Sequence, residues 1–116
     1  MRVTRLYSGD DGESHFEDVE LKLDARGIAG RMSELQGATG ILFRETDGSY
    51  DLDFHNAPRR QYIINLEGAV EIEMGDGTKR VFGPGDIILA EDLTGRGHIS
   101  RAVGGQARSS IFVTLD

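Results

Sequence analysis

The stretch from residue 51 to residue 100, DLDFHNAPRRQYIINLEGAVEIEMGDGTKRVFGPGDIILAEDLTGRGHIS, decides the fold. It holds two of the three histidines of the chain and its densest strand-like patterning. Residues 61–68 (QYIINLEG) are a β-branched and apolar run that ends at a glycine, and residues 69–74 (AVEIEM) alternate apolar and acidic side chains. Both patterns are typical of β-strands. We interpret them as two antiparallel strands.

Glycine-rich turns divide the rest of this stretch into short strands. Residues 75–77 (GDG) supply the positive-φ positions of a hairpin turn, and residues 79–82 (KRVF) form a returning strand. Residues 83–86 (GPGD) predict a second turn, after which residues 87–90 (IILA) form another strand. A succession of short strands and tight turns predicts an all-β fold.

Outside this stretch the pattern is also that of short strands. Residues 2–7 alternate weakly and predict a short edge strand, and residues 14–23 (SHFEDVELKL) predict a half-buried one. Residues 24–39 contain three glycines, each of which costs about 1 kcal/mol inside a helix, so we expect a loop with one helical turn. Further strands are predicted at residues 40–45, 50–55, 98–103 and 109–115, with a glycine turn at 104–105.

Composition limits the classes of function. The chain has 116 residues, which predicts a single domain over residues 1–116, and it has no cysteine, so disulfides and thiolate chemistry are excluded. The formal net charge of -7 argues against nucleic-acid binding, which needs a basic face. No run approaches the ~20 apolar residues of a membrane helix. We therefore expect a soluble, cytoplasmic protein with no membrane partner.

The strand at residues 50–55 carries an unusual polar face. Alternation puts Asp51 and Asp53 on the same face as His55. Two acids and a histidine that face a core need partners or a metal. Asp53 is therefore the candidate catalytic base or anionic ligand, and a solvated acid at the rim is the alternative.

The order of motifs carries a family resemblance. His55 is followed by Gln61, by residues 66–68 (LEG), by the turn at residues 83–86 and finally by His98. This order resembles the small single-domain cupins, an RmlC-like family of jelly-roll barrels. The resemblance implies one all-β cupin barrel whose core motif region is residues 51–100, a pocket for a small molecule and a homodimer.

The resemblance also implies a metal site. His55 matches the first histidine of the family's first motif, Gln61 its acid or amide, and His98 the histidine of the second motif. Two imidazoles and an amide oxygen can bind a divalent transition metal such as manganese, iron, nickel or zinc. Ala57 stands where the family has a second histidine, which removes one ligand.

Several further residues are candidates for binding a substrate. Arg59 and Arg60 lie where the chain enters a strand, on opposite faces by alternation, and Arg96 lies in the loop before His98. Guanidinium groups at a barrel mouth can hold a carboxylate or phosphate in bidentate fashion, although arginines in turns are usually solvated. Two strand residues, Tyr62 and Asn65, complete the set.

Three other ionisable residues have less specific positions. Glu91 and Asp92 lie on the loop that leads to His98 and could act as acid or base, although loop acids usually serve solubility. The third histidine, His15, is expected to be structural.

Two functions of different classes follow. The first is a metal-dependent enzyme, of isomerase, lyase or dioxygenase type, that acts on a small polar organic acid or a sugar derivative, with Asp53 moving a proton. The second is a non-catalytic cupin that binds or senses a small molecule without metal, which Ala57 favours. A purely structural dimer is a third, weaker possibility.

Overall fold

The computed structural model describes residues 1–116 and consists of two facing β-sheets, a separate two-stranded ladder and short turns. The twelve strands are β1 (Arg2–Ser8), β2 (Ser14–Glu20), β3 (Asp24–Ala25), β4 (Arg31–Met32), β5 (Gly40–Thr46), β6 (Asp51–His55), β7 (Gln61–Glu67), β8 (Val70–Glu73), β9 (Lys79–Phe82), β10 (Ile87–Glu91), β11 (His98–Ala102) and β12 (Arg108–Thr114). One 3₁₀ turn, Gly27–Ala29, lies between β3 and β4. The predicted all-β jelly-roll architecture is confirmed.

The larger sheet has six strands in the order β2-β1-β10-β7-β12-β5, and the smaller has four in the order β6-β11-β8-β9. All strand pairs are antiparallel except β1 with β10. The turns at residues 75–77 and 83–86 lie where they were predicted, with Gly77 and Gly85 at positive φ. The β8–β9 hairpin is closed by the first of these turns.

Apolar residues from both sheets form the core. Alternate positions of each strand face inward, so each inner face supplies its apolar set. The buried cluster consists of Leu6, Val70, Ile72, Met74, Phe82 and Ile88. Full burial of such a side chain contributes about 1.5–3 kcal/mol. The core therefore fixes the distance between the sheets and, with it, the floor of the cavity described below.

Two predictions about the arrangement of strands were wrong. Residues 2–7 do not form an edge strand, because β1 lies between β2 and its parallel partner β10. The strands of residues 61–68 and 69–74 do not pair with each other, because β7 belongs to the larger sheet and β8 to the smaller. Gly68, with φ +72, carries the chain from one sheet to the other, and a Cβ there would collide with the Ala107 carbonyl.

The segment of residues 24–39 packs little against either sheet. It contains the 3₁₀ turn and the two-stranded β3–β4 ladder, in agreement with the expected loop with one helical turn. Ile28 and Leu35 are fully exposed within it. No helix of the structure has the length and apolar character needed to cross a membrane.

Candidate functional site

A cavity of about 520 Å³ lies between the two sheets and is lined by 20 residues, 12 of them hydrophobic. Its volume falls in the range of small-molecule sites, roughly 300–1,000 Å³. Both sheets contribute, through His55 and His98 on the smaller one and Gln61 on the larger one. The structure thus brings the three predicted metal ligands to one cavity.

His98 is held by a buried carboxylate. Its Nδ1 lies 2.5 Å from Oδ2 of Asp92, a residue with 0% of its surface exposed, and Ser14 Oγ donates to the same oxygen at 2.8 Å. Because a carboxylate only accepts hydrogen bonds, Nδ1 of His98 carries the proton. Nε2 of His98 is then the ring nitrogen left for the cavity.

Asp92 was named in the sequence only as one of two loop acids. The structure separates the two. Glu91 forms ion pairs with Arg5 at 2.6 Å and with Arg60 at 2.7 Å, and these interactions lower its pKa although burial opposes them. Asp92 is the acid connected to the cavity, because it accepts a hydrogen bond from His98, which lines the cavity.

His55 stands opposite His98, with the two ring centroids 4.4 Å apart. Nδ1 of His55 donates to the backbone carbonyl of Asp53 at 2.8 Å, which orients the ring. Burial is the main cause that lowers the pKa of His55 below its ordinary 6.5, so this imidazole is neutral at pH 7. Two oriented imidazoles therefore face one another across the β6–β11 pair.

A β-bulge in β6 changes which side chains face the cavity. In the β6–β11 register, His55 pairs with His98 but Leu52 pairs with Ser100, so β6 has one extra residue between these pairs. Leu52 and His55 consequently both line the cavity. The prediction that Asp53 shares an inward face with His55 is wrong: Asp53 is exposed, and its carboxylate accepts the amide of Phe54 at 2.8 Å. Asp53 therefore does not reach the cavity in which it was expected to act as a base.

Arg59 and Arg60 face opposite ways, as alternation predicted. Arg59 lines the cavity and donates through Nη1 to Oε1 of the buried Gln61 at 3.2 Å. Arg60 points outward, where it pairs with Glu91 and with Asp116 at 3.2 Å. Only Arg59 of this pair can contact a ligand between the sheets.

Arg96 and His15 lie outside the cavity wall. Arg96 forms an ion pair with Glu13 at 2.6 Å, and its guanidinium stacks 4.6 Å from the ring centroid of Phe54. Nε2 of His15 lies 2.9 Å from a carboxylate oxygen of Asp11. The expectation that His15 is structural agrees with this position, whereas Arg96 is engaged away from the cavity in which it was expected to bind substrate.

Tyr62 and Asn65 also lie outside the cavity wall. The Tyr62 hydroxyl donates to Oε1 of Gln36 at 2.7 Å, on the outer side of the larger sheet. The Asn65 amide is buried and donates to the Phe82 carbonyl at 3.0 Å. Both side chains therefore have structural partners instead of the substrate predicted for them.

Sequence reasoning missed two arginines of the cavity, Arg44 on β5 and Arg108 on β12. Arg44 lies within the predicted strand at residues 40–45, and Arg108 lies between the predicted turn at 104–105 and the predicted strand at 109–115, so neither was considered for the cavity. Strand alternation was the signal that could have found them: the buried positions of β12 are Arg108, Ser110 and Phe112. The ring of Tyr50 lies 5.3 Å from the guanidinium of Arg44 and 5.8 Å from that of Arg108.

The donor set is incomplete for a resident divalent cation. His55 and His98 are two oriented imidazoles, but the Gln61 carbonyl already accepts from Arg59, and Ala57 forms the wall where another histidine was expected. No group of three or more His, Cys, Asp or Glu side chains is placed to hold a metal. Three arginines line the same cavity, and their charge opposes a cation. The metal at His55, Gln61 and His98 stays a prediction.

No protein-family model matches the sequence, and no curated protein matches it. In structure the chain is similar to protein NMB1881 from Neisseria meningitidis, with a TM-score of 0.50 and 14% identity over 84% of each chain. It is also similar to a protein named ethanolamine utilization protein Q from Salmonella typhimurium LT2, with a TM-score of 0.46 and 12% identity over 99% of this chain and 95% of that one. At such identities the likeness concerns the fold alone, which in this chain is an all-β, cupin-type jelly roll.

Proposed function

We propose that this protein binds a small organic molecule between its sheets and catalyses proton transfer on it, as an isomerase or lyase that needs no resident metal. One observation carries the proposal: the buried Asp92 carboxylate lies 2.5 Å from Nδ1 of His98. This contact fixes the tautomer and leaves Nε2 of a cavity histidine as a base.

The arrangement of His98, Asp92 and Arg59 supports proton transfer from a bound molecule. Nε2 of His98 accepts a proton from a carbon or hydroxyl of the bound molecule, and the electron pair of the broken bond stays on that molecule. The imidazolium that forms is stabilised by Asp92, whose position Ser14 fixes. Arg59, in the same cavity, supports the negative charge that develops on the substrate. Return of the proton to another atom completes an isomerisation, and loss of a leaving group completes a lyase reaction.

An exchange experiment tests this proposal and does not require the identity of the product. Small 2-oxo acids and sugars are incubated with the protein in D₂O, and the loss of C–H signals next to the carbonyl is followed by ¹H NMR. We expect wild-type protein to accelerate exchange for at least one compound. General-base catalysis typically contributes about 10²–10⁴-fold, so His98→Ala should reduce the rate by at least ~100-fold.

The control is Asp11→Asn, which removes the negative charge beside His15, the histidine that lies outside the cavity wall. Its exchange rate should equal that of the wild type, and circular dichroism should show that all variants are folded. Exchange that survives His98→Ala would contradict the proposal. Binding of the compounds without exchange would favour the non-catalytic binding protein instead.

The metal-dependent enzyme is the remaining alternative. A metal site is favoured by the two oriented imidazoles, which face each other with their ring centroids 4.4 Å apart. Elemental analysis of the freshly purified protein, compared with His98→Ala, decides between them. Near-stoichiometric metal that is lost in the variant would replace the present proposal by the metal-dependent one.

A further inference from the structure

The charge of the cavity wall is opposite to that of the chain. The sequence has 20 acidic and 13 basic residues, with a formal net charge of -7. Among the 20 residues of the wall, however, are three arginines and neither an aspartate nor a glutamate. An acidic protein thus encloses a cationic cavity.

Arg108 is a buried cation without a counter-ion. Its surface is only 7% exposed, and its Nε has no hydrogen-bond partner. Neither Arg108 nor Arg44 takes part in any ion pair of the protein, whereas Arg5, Arg60 and Arg101 each contact two or more acids. Burial of an unpaired charge is costly, so its retention needs a compensating partner.

The two guanidiniums are neighbours on adjacent strands. In the β5–β12 ladder, Arg108 pairs with Thr46 and Arg44 with Ser110, so the two arginines are diagonal neighbours. Their mutual repulsion shows in the pKa of Arg108, which is lowered first by burial and second by Arg44. Both stack near the ring of Tyr50, which restricts their orientation. Two like charges held together in this way attract an anion.

The remaining residues of the cavity wall indicate the chemistry of the rest of the ligand. Most of the lining is hydrophobic, with Leu6, Ile72 and Ile88 of the core as its floor. A fully hydrated inorganic anion would leave this surface uncovered, whereas an apolar body covers it. The cavity therefore has one charged region and one apolar region.

We propose that Arg44 and Arg108 form an oxyanion subsite and that the ligand of this cavity is a small organic acid, with an oxyanion bound bidentately by the guanidiniums and an apolar body on the aliphatic floor. This inference rests on the small-molecule cavity of the proposed function but not on proton transfer by His98.

Three probes of similar shape test the subsite: phenylacetate, phenyl phosphate and the neutral phenylacetamide. Their affinities are measured by isothermal titration calorimetry at an ionic strength of about 0.15 M, at which the repulsion of the acidic exterior is screened. We expect wild-type protein to bind one of the anions at least tenfold more tightly than phenylacetamide. The better anion, carboxylate or phosphate, identifies the oxyanion class.

The variants Arg108→Gln and Arg44→Gln should each reduce this preference to near unity. The matched control is Arg101→Gln, which removes a surface guanidinium paired with Glu71 and Glu73 and should keep the full preference. Arg108→Met should also raise Tm in the absence of probe, because it removes a buried unpaired charge. Either glutamine variant suffices if the other fails to fold.

The outcomes separate this inference from the proposed function. Equal affinity for the acids and the amide, or a preference that survives in both glutamine variants, would overturn the subsite and leave the cavity as a site for neutral molecules. Failure of all three probes to bind would overturn the subsite but not the proposed function, which the exchange experiment tests with 2-oxo acids and sugars. In His98→Ala the preference for the anion should persist, so loss of proton transfer alone leaves the subsite standing.

Discussion

His55 is a side chain of the site whose pKa is shifted by the fold. Burial lowers its pKa in the folded protein, and the hydrogen bond to the Asp53 carbonyl partly opposes this shift. The unfolded chain, with the ordinary pKa of 6.5, therefore binds the proton first as the pH falls. The stabilising contribution of the neutral ring is present above about pH 6.5 and is lost as the pH falls through the folded-state pKa.

We expect Tm to fall as the pH is lowered below about 6.5, and His55→Gln to flatten this dependence. Carboxylates such as Asp18 and Asp47, whose pKa values lie below the ordinary 3.8, lose their contribution only at lower pH, so the two effects are separable. Differential scanning calorimetry between pH 5 and 8, at about unit intervals, therefore measures the histidine effect without that of the carboxylates. An unchanged slope in His55→Gln would contradict the assignment.

The residues of the site differ in how far the sequence could reveal them. His55, Gln61 and His98 could be placed together because the spacing of motifs resembles one family. Asp92 could not be distinguished from Glu91, since both were predicted to be loop acids. In the structure Glu91 ends β10, and the packing of β2 against the following loop brings Ser14 and His98 to Asp92. The candidate base was therefore assigned to Asp53 instead of the His98–Asp92 pair.

Sequence patterns that act over a few residues predicted the strands and turns correctly. The pairing of segments that are distant in the sequence was not predicted. Strand positions and the turns at residues 75–77 and 83–86 follow from alternation and from glycine and proline chemistry, which act within a few residues. The parallel pairing of β1 with β10 joins segments more than 80 positions apart, and nothing in either segment specifies it. The bulge in β6 likewise depends on the partner strand β11, so alternation alone gave the wrong face for Asp53.

Gly97 is the glycine that allows β11 to approach β6 beside the site. It has φ +79, and a Cβ there would collide with the backbone carbonyl of His55. Gly104 has a similar φ, +61, but open space around it. Both glycines therefore adopt a left-handed backbone, but only Gly97 lies so close to another strand that a Cβ would collide with it.

We expect Gly104→Ala to cost about 1–2 kcal/mol of unfolding free energy, the usual penalty of a left-handed backbone with a Cβ. Gly97→Ala should cost at least ~2 kcal/mol more, because backbone must move, and should separate the His55 and His98 rings. Urea unfolding measures the stabilities, and the imidazole shifts in NMR spectra report the separation. Equal costs for the two variants would contradict the close approach.

The edge strand β5 leaves apolar residues uncovered. It pairs only with β12, and Ile41, Leu42 and Phe43 are each at least half exposed, with Phe43 at 76%. A long apolar edge on a sheet is a template for pairing with another chain. The homodimer implied by the family resemblance stays a prediction, and β5 is the surface on which we expect it to form.

Analytical ultracentrifugation of charge variants tests the dimer. Ile41→Glu on β5 should shift the protein to the monomer. Val81→Glu on β9, the edge of the smaller sheet, changes a residue of similar exposure, 52% against 55%, and should leave the dimer intact. A monomeric wild type, or equal effects of the two variants, would rule out this interface.

A cationic cavity inside an acidic molecule has a consequence for the rate of ligand capture. An anion that diffuses toward the protein meets the long-range repulsion of the exterior before it reaches the arginines. Salt shortens the range of that repulsion, from about 30 Å at 0.01 M to about 8 Å at 0.15 M, but screens the buried contacts much less. We therefore expect the association rate constant of phenylacetate, measured by stopped flow, to rise with ionic strength while its dissociation rate constant changes little. Such a protein would take up its ligand best in a salty medium, the opposite of a site that attracts an anion from its surface.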